Sequence, residues 1–228
     1  MMGHAGMAAT AMRYLRSVGA PTTIEQPVDP LPRPDLRAVR EDERLPLDPT
    51  EFRRVLGNFA SGVTIVTARA AVDPGHRSGE TARAAPAQAA PHPDGPAGFA
   101  CQSFASLSLD PPLVAFMVAR TSATWPRIAR AGVFCVNILG ADQGDLCRGF
   151  AVSGADKFAG VEYEPSSVTG SPRLAGVPAW IDCTIQAVHT GGDHLIVVGR
   201  VEALGSDETA GAAGPLLFHR GAFGSLSG

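Results

Sequence analysis

The sequence lacks the patterns that mark several large functional classes. Its formal net charge is −3, and its 19 lysines and arginines are scattered, without the basic stripe of a nucleic-acid-binding surface. No apolar run approaches the roughly 18 residues of a membrane-spanning helix. We therefore expect neither nucleic acid nor a membrane as a partner. The N-terminus also lacks the apolar stretch of a secretory signal, which favours a cytoplasmic location.

Cysteine is scarce and does not occur at metal-binding spacings. The four cysteines form no CxxC pair, and none has a histidine at ligand spacing along the chain. Each lies among apolar or small residues. We therefore expect reduced thiols in the core and no metal site.

The usual catalytic motifs are missing as well. There is no GxSxG, HExxH, P-loop or GxGxxG pattern, and no pair of carboxylates stands out. Of the six histidines, only His189, His194 and His219 lie in or beside predicted strands. The side chains thus offer little nucleophilic or metal chemistry. If the protein is an enzyme, an organic cofactor supplies the reaction.

Composition divides the chain into one domain and two segments that cannot bury a core. Residues 1–47 are rich in proline and charge, and we expect a disordered arm. Residues 69–97 are rich in Ala, Pro, Gly and charged residues, and we expect a flexible insert in a hairpin loop. The domain itself spans 48–228 and contains about 150 residues outside the insert.

Hydrophobic periodicity predicts a mainly β fold. Apolar residues at helical spacing predict helices at 49–60, 121–132 and 142–151, with Asp48 or Thr50 as the first N-cap. Alternating or β-branched runs predict about seven strands, at 63–68, 98–108, 113–119, 133–139, 179–189, 194–204 and 215–221. Most strands are neighbours along the chain and no βαβ units occur. The pattern therefore favours an antiparallel barrel with short helices at its rim.

One predicted strand has an unusual composition. The segment 98–113, "GFACQSFASLSLDPPL", carries small and hydroxylated side chains where a buried strand normally carries Val, Ile and Leu. Small residues allow a flat ring to approach the backbone, and hydroxyl, amide and Gln102 groups can bond its polar edge. A tightly packed strand crossing explains the same composition.

Seven segments occur in an order that resembles the short-chain flavin reductase family, the reductase components of two-component flavin-dependent monooxygenases. They span residues 51 to about 223 and read "FRRVLGNFASGVTIVTA", "GFACQSFASLSLDPPLV", "SATW", "FCVNIL", "DKFAG", "GGDH" and "PLLFHRG". The segments "GFACQSFASLSLDPPLV" and "IDCTIQAVHTGGDH" look closest to the reductase partner of an actinobacterial hydroxylase that acts on steroid-derived phenols. The resemblance implies a split, Greek-key-like antiparallel β-barrel that binds FMN as a homodimer.

The resemblance also implies which residues bind flavin. The isoalloxazine wall would comprise Ala100, Cys101, Gln102, Ser103, Ser106, Leu107 and Ser108. The phosphate end would comprise Ser122, Thr124, Trp125, Lys157 and Phe158. Ordinary helix capping is the alternative role for the Ser122 and Thr124 hydroxyls. A lysine in the position of Lys157 is usually exposed to solvent and binds no ligand.

The histidines and one arginine complete the predicted site. The resemblance makes His194 the catalytic candidate, which would orient nicotinamide or stabilise reduced flavin, with His189 a lesser candidate. His219 and Arg220 would contact the dinucleotide. A turn histidine bonded to Asp193 is the alternative for His194. The family often has Tyr where this chain has Phe223, which removes a hydroxyl.

The implied activity is NAD(P)H:flavin oxidoreduction. Hydride would pass from nicotinamide C4 to N5 of FMN or FAD, with NADH or NADPH as the donor. Reduced flavin would then diffuse to a separate oxygenase component. Two alternatives stay open at this point. One is an FMN-binding barrel that acts directly on an organic substrate, and the other is a flavin-binding module without turnover.

Overall fold

The computed structural model describes residues 47–70 and 95–226. Within them the chain forms three α-helices: α1 (Pro49–Leu56), α2 (Trp125–Ala131) and α3 (Gly144–Ala151). A 3₁₀ turn spans Ala210–Ala213. The strands of this part of the chain are β1 (Ser61–Gly62), β2 (Thr64–Ala68), β3 (Ala97–Cys101), β4 (Ala105–Leu109), β5 (Pro112–Ala119), β6 (Val133–Ile138), β7 (Tyr163–Pro165), β8 (Pro172–Leu174), β9 (Ala179–Gly191), β10 (His194–Ser206), β11 (Leu217–His219) and β12 (Ala222–Gly224).

The arm predicted at 1–47 and the insert predicted at 69–97 lie almost wholly outside the described residues. Both stay predictions.

Seven antiparallel strands form the main sheet in the order β3-β2-β6-β9-β10-β5-β4. The sheet curls until the chain after β3 meets β5. There the Ser103 hydroxyl donates to the Met117 carbonyl and accepts from the Met117 N–H, both at 2.9 Å. These bonds join the two ends of the sheet in place of a strand pair. The predicted antiparallel barrel with short helices is confirmed.

Aromatic rings fill the interior of the barrel. Phe116 is fully buried and meets Phe134 edge-on at 5.1 Å and Trp125 at 6.3 Å between ring centroids. Gly199 of β10 makes room for this cluster, because a Cβ there would lie 2.3 Å from the Phe134 ring. Burying each such side chain stabilises the fold by about 1.5–3 kcal/mol.

A second apolar cluster packs α3 against the outside of the sheet. Phe150 of α3 is buried and contacts Phe158 edge-on at 5.1 Å. Gly98 of β3 permits this approach, since a Cβ at that position would lie 2.7 Å from the Phe150 ring. The glycine that opens the unusual segment is therefore required by packing.

Local capping fixes the ends of the helices. The Asp48 carboxylate accepts from the Thr50 N–H at 2.9 Å, so Asp48 is the N-cap of α1. Helix α1 ends at Leu56, four residues before its predicted end, because the Asn58 amide donates to the last carbonyls of the helix. Gly132 ends α2 with a φ of 68°, as its position in the sequence predicts.

Two strand predictions are wrong in detail. The predicted strand 98–108 is divided into β3 and β4, because residues 102–104 leave the ladder where the barrel closes. The predicted strand 215–221 does not close the main sheet. Its ordered part, β11, pairs with β1 and β12 in a separate three-stranded sheet.

The hairpin of β7 and β8 has no counterpart in the sequence analysis. Its strands have three residues each, too few for an alternating pattern. The buried Asn137 amide anchors it by donating to the Pro172 carbonyl and accepting from the Leu174 N–H. The Thr67 hydroxyl of β2 donates to the same Pro172 carbonyl, so buried polar side chains of two strands hold the hairpin.

None of the helices in the described ranges reaches the length and apolar character that a bilayer crossing needs. All four cysteines are buried and free of disulfides, as predicted.

Candidate functional site

Three cavities beside β3 share lining residues, and we refer to them together as the groove. The central cavity, about 540 Å³, is lined by residues 99–103, by the end of β5 and by His194. The lysine cavity, about 700 Å³, shares Phe99, Ala100 and Ser122 with it and continues toward Lys157. The arginine cavity, about 710 Å³, shares Gln102, His194 and Phe218 with the central cavity and continues toward α1.

The central cavity has walls of small side chains and exposed main chain. Ala100, Cys101 and Gln102 line it, and their role as a ring-binding wall stays a prediction. Burial raises the pKa of the Cys101 thiol, so this side chain stays protonated and supplies shape rather than a nucleophile. Ser103 also lines the cavity, but its hydroxyl is engaged by the Met117 backbone and by the Cys101 thiol.

Three basic residues line the lysine cavity: Arg127, Arg130 and Lys157. Lys157 is partly buried, and its Nζ donates to the Gly98 carbonyl at 3.2 Å. Burial, together with the nearby Arg127 charge, lowers the pKa of Lys157. Arg127 donates to the Gly95 and Pro96 carbonyls at 2.7 and 3.2 Å. An anionic ligand would relieve the repulsion between Lys157 and Arg127.

The predicted hydroxyls lie at the junction of these two cavities. The Ser122 hydroxyl accepts from the Trp125 N–H at 3.2 Å and so caps the start of α2. Thr124 is the N-cap position but makes no side-chain capping bond, and it lines the lysine cavity. Phe158 lines the same cavity and packs between Phe150 and Tyr163.

At the arginine cavity, His194 pairs with its neighbour in the β9–β10 turn. Its Nδ1 lies 2.7 Å from the Asp193 carboxylate, the contact expected of a turn histidine. That hydrogen bond lowers the pKa of Asp193. Because Nδ1 is engaged, Nε2 is the ring atom that can serve a ligand in the groove. The turn contact and a role in the groove are therefore compatible.

Arg220 is fixed between α1 and the β11–β12 turn. Its backbone N–H donates to the Gly57 carbonyl and its Nε to the Asn58 side-chain oxygen, both at 3.0 Å. Its own φ of 48° lies in the left-handed region. The side chain lines the arginine cavity, next to Arg53.

Several residues predicted from the resemblance lie elsewhere. Trp125 is buried in the core against Phe116, so its ring does not line the groove. The remaining ones lie on strands and line none of the three cavities: Ser106, Leu107 and Ser108 on β4, His189 on β9 and His219 on β11.

Other groove residues were not predicted. Met117, Phe218 and Arg53 line the groove but sit in ordinary apolar strands or in a helix, so no local signal in the sequence marks them. Phe223, where the family often has Tyr, lines the central cavity and contacts Phe218 edge-on at 5.6 Å.

A family model described as "Flavin reductase like domain" matches residues 56–227. The chain belongs to this family. It is therefore an oxidoreductase whose chemistry uses flavin, as the resemblance implied. The groove fits such a ligand, because small residues line its centre and three basic residues line its lysine cavity. Each of the three cavities has a volume in the range of small-molecule sites.

Named relatives support the same class of reductase. The reductase subunit HsaB of a flavin-dependent monooxygenase from Mycobacterium tuberculosis is 44% identical over 175 residues, covering 77% of this chain and 81% of that protein. A flavin reductase from Pseudomonas putida is 41% identical over 192 residues, covering 84% and 98%. Reductase components of this kind work with a separate oxygenase. That the partner oxygenase of this chain acts on a steroid-derived phenol stays a prediction.

Solved structures share the fold of this flavin reductase. Nitrilotriacetate monooxygenase component B from Mycobacterium thermoresistibile is 42% identical, with a TM-score of 0.63 over 78% of this chain and 86% of that one. The NADH:FAD oxidoreductase SgcE6 from Streptomyces globisporus, in complex with NAD and FAD fragments, is 29% identical, with a TM-score of 0.65 over 81% and 98%. The predicted split barrel is confirmed.

Proposed function

We propose that this flavin reductase oxidises NADH or NADPH, reduces FMN or FAD, and releases reduced flavin to a separate oxygenase. The observation that carries the proposal is the groove, three cavities that share lining residues. It joins a cationic cavity, a ring-sized central cavity and a third cavity beside His194. Flavin, the substrate here, takes up the hydride, and the protein supplies binding, orientation and exclusion of water.

The central and lysine cavities would hold the flavin. The backbone of residues 100–102 would bond the polar edge of the ring, while the small side chain of Ala100 allows close approach. Lys157 would bind the phosphate with help from Ser122 and Thr124. Its ammonium is already held in place by the Gly98 carbonyl, so little ordering remains to be done on binding.

His194 would orient the nicotinamide at the junction of the central and arginine cavities. Asp193 fixes the ring of His194 through Nδ1, which leaves Nε2 to hydrogen-bond the donor or the electron-rich reduced flavin. Either contact would matter most while the hydride moves.

We also propose a homodimer formed through the β4 edge of the main sheet. Leu107, Leu109 and Met117 expose 54%, 74% and 43% of their surface on adjacent strands β4 and β5. Met117 also lines the central cavity, so a second copy on this edge would border the site. The serines predicted on β4 would then face the interface. Dependence on NAD(P)H supports a cytoplasmic location, with no nucleic acid or membrane as a partner.

Steady-state oxidation of NADH and NADPH with FMN, FAD or riboflavin as acceptor tests the proposal. We expect turnover that depends on added flavin, and flavin that is removed by dialysis. Flavin that never dissociates, with no NAD(P)H oxidation, would instead favour a direct organic substrate or a non-catalytic flavin module.

A further inference from the structure

Met117 is the one methionine among the described residues, and it lies on the wall of the central cavity. The other four methionines of the chain lie within residues 1–12. Met117 is 43% exposed, whereas its neighbours along β5, Phe116 and Val118, are buried. A thioether side chain therefore borders the space in which the flavin ring would lie.

The backbone of Met117 is fixed by the closure of the barrel. Its N–H and its carbonyl both bond the Ser103 hydroxyl at 2.9 Å. The side chain therefore stays at the cavity wall as long as the barrel is closed. A thioether is apolar and polarizable, and it packs favourably against aromatic rings. In its ordinary form Met117 suits the flavin.

The product of the proposed reaction is a source of peroxide. Reduced flavin that no oxygenase takes up gives two electrons and two protons to dioxygen, which yields oxidised flavin and hydrogen peroxide. The sulfur lone pair of a methionine attacks one peroxide oxygen, the O–O bond breaks, and water leaves. The result is methionine sulfoxide, a polar and chiral side chain in place of an apolar one.

Two other sulfur atoms of the central cavity are less reactive than that of Met117. Cys101 and Cys147 line the same cavity, but both are buried, and burial raises the pKa of both thiols. Peroxide oxidises cysteine through the thiolate, so these protonated thiols react slowly. A thioether has no proton to lose, and Met117 is the exposed one of the three.

We propose that Met117 is an oxidation site, at which peroxide formed from unconsumed reduced flavin converts the thioether to the sulfoxide and weakens flavin binding. This inference rests on the proposed function, which supplies the reduced flavin. Met117 also belongs to the proposed dimer edge, so peroxide reaches its sulfur through the central cavity. The modification slows the reductase when its product accumulates, and methionine sulfoxide reductases reverse it.

Added hydrogen peroxide tests the site without turnover. We expect peptide mass spectrometry to find Met117 as the sulfoxide. Fluorescence titration should then give a Kd for FMN about twofold to tenfold above that of the untreated protein, because a sulfur–aromatic contact is lost. Treatment with methionine sulfoxide reductases should restore the Kd. Saturating oxidised FMN should slow the formation of the sulfoxide, because this ligand fills the cavity.

Met117→Leu keeps the apolar volume and removes the sulfur. Peroxide should therefore leave the Kd of this variant at its own untreated value. Adding Val168→Met to the same variant provides the matched control. Val168 is 60% exposed, lies between β7 and β8 and lines none of the three cavities. Oxidation of a methionine at that position should not change the Kd.

Three results would overturn the proposal. The first is an unchanged Kd for FMN in wild-type protein whose Met117 is oxidised. The second is an equal rise in Kd for Met117→Leu, which would assign the effect to another group. The third is a rate of sulfoxide formation that saturating FMN does not alter, which would place the sulfur outside the flavin site.

Aerobic turnover without an oxygenase separates this inference from the proposed function. We expect NADH oxidation to be accompanied by sulfoxide at Met117, and catalase to suppress the sulfoxide without changing the initial rate. If the protein fails to oxidise NADH but added peroxide weakens FMN binding through Met117, the proposed function fails and the oxidation site stands. Turnover that leaves Met117 unoxidised, in protein that added peroxide does oxidise, overturns the proposal while the proposed function stands.

Discussion

Lys157 is an ammonium group that is partly removed from water and placed near a second cation. Removing a charge from solvent costs free energy, and the neighbouring Arg127 adds repulsion. The Gly98 carbonyl compensates for only part of this cost. Such an arrangement is stabilised when an anion binds, which is why we assign the phosphate to this cavity.

Lys157→Ala is expected to weaken FMN binding by about 10–150-fold, the worth of a charge-assisted hydrogen bond. Riboflavin has no phosphate, so its Kd stays within about twofold of the wild-type value. Fluorescence titration with both ligands measures the difference. Arg148→Ala is the control, because Arg148 is paired with Asp145 outside the lysine cavity. Equal weakening of FMN and riboflavin would show that Lys157 supports the fold instead.

The lowered pKa of Lys157 also predicts a pH dependence. Phosphate binding requires the protonated ammonium, and in the ligand-free protein the proton is lost at a pH below the ordinary value of 10.5. FMN affinity should therefore fall as the pH rises through this lowered pKa, earlier than with an ordinary lysine. Riboflavin titrated in parallel corrects for ionisation of the flavin ring. Parallel curves for the two ligands would contradict the prediction.

His194→Ala is expected to slow flavin reduction by about 5–150-fold, the effect of losing one orienting hydrogen bond. The affinity for oxidised FMN should change little, because the contact acts mainly during hydride transfer. Stopped-flow reduction at saturating NADH measures the rate. His189→Ala is the control, since His189 lies on β9 outside the groove. A normal rate with a lowered melting temperature would leave His194 as a turn residue only.

At the scale of elements, the closure of the barrel depends on a few side chains. Ser103 carries two hydrogen bonds to Met117 between the chain after β3 and strand β5. These bonds replace a strand pair at residues 102–104, where the chain leaves the ladder between β3 and β4. The composition that suggests a ring-binding wall therefore also serves the closure.

Ser103→Ala should lower the free energy of unfolding by about 1–3 kcal/mol, because the Met117 backbone groups lose their partner. Urea denaturation measures this change. Ser106→Ala on the exposed edge strand β4 should change it by less than about 0.5 kcal/mol. Equal stability of the two variants would show that water replaces the Ser103 hydroxyl at the closure.

Elements with strong local signals could be predicted from the sequence. Asp48 and Gly132 define helix ends through their own side chain or backbone, and the Gly191–Gly192 turn defines the β9–β10 hairpin. The division at residues 102–104 could not be predicted, because it follows from the tertiary contact of Ser103 with Met117 of β5, which no local pattern marks. The strands of β7 and β8 depend on Asn137 for the same reason.

The residues of the candidate site fall into the same two groups, those that a local motif marks and those that only the tertiary fold brings together. Ala100, Cys101 and Lys157 lie in short motifs that the sequence analysis singled out, and the structure places them along the groove. Met117 and Arg53 reach it only through the tertiary fold, and nothing adjacent in the sequence distinguishes them from other strand or helix residues. Trp125 lies in one of the quoted motifs, but its large apolar ring packs in the barrel interior.

At the scale of the whole molecule, the exposed β4 edge predicts the assembly. Leu109→Asp places a charge on the proposed interface, and we expect the dimer to dissociate at micromolar concentration in light-scattering measurements. Val168→Asp is the control, because Val168 is an apolar residue that is 60% exposed and lies between β7 and β8. This variant should leave the measured mass of the dimer unchanged. A dimer that persists in Leu109→Asp would exclude this edge as the interface.

The pairing of Ala68 with Ala97 has a consequence for how this family can diversify. Strands β2 and β3 stay in register from Thr64–Cys101 to Ala68–Ala97, so the chain leaves and re-enters the barrel at neighbouring points. Closing a longer connection between fixed neighbours costs only about 0.6 kcal/mol for each doubling of its length. We therefore expect changes of chain length between residues 70 and 95 to leave the register of β2 and β3 intact, as long as Gly95 and Pro96 still bond Arg127.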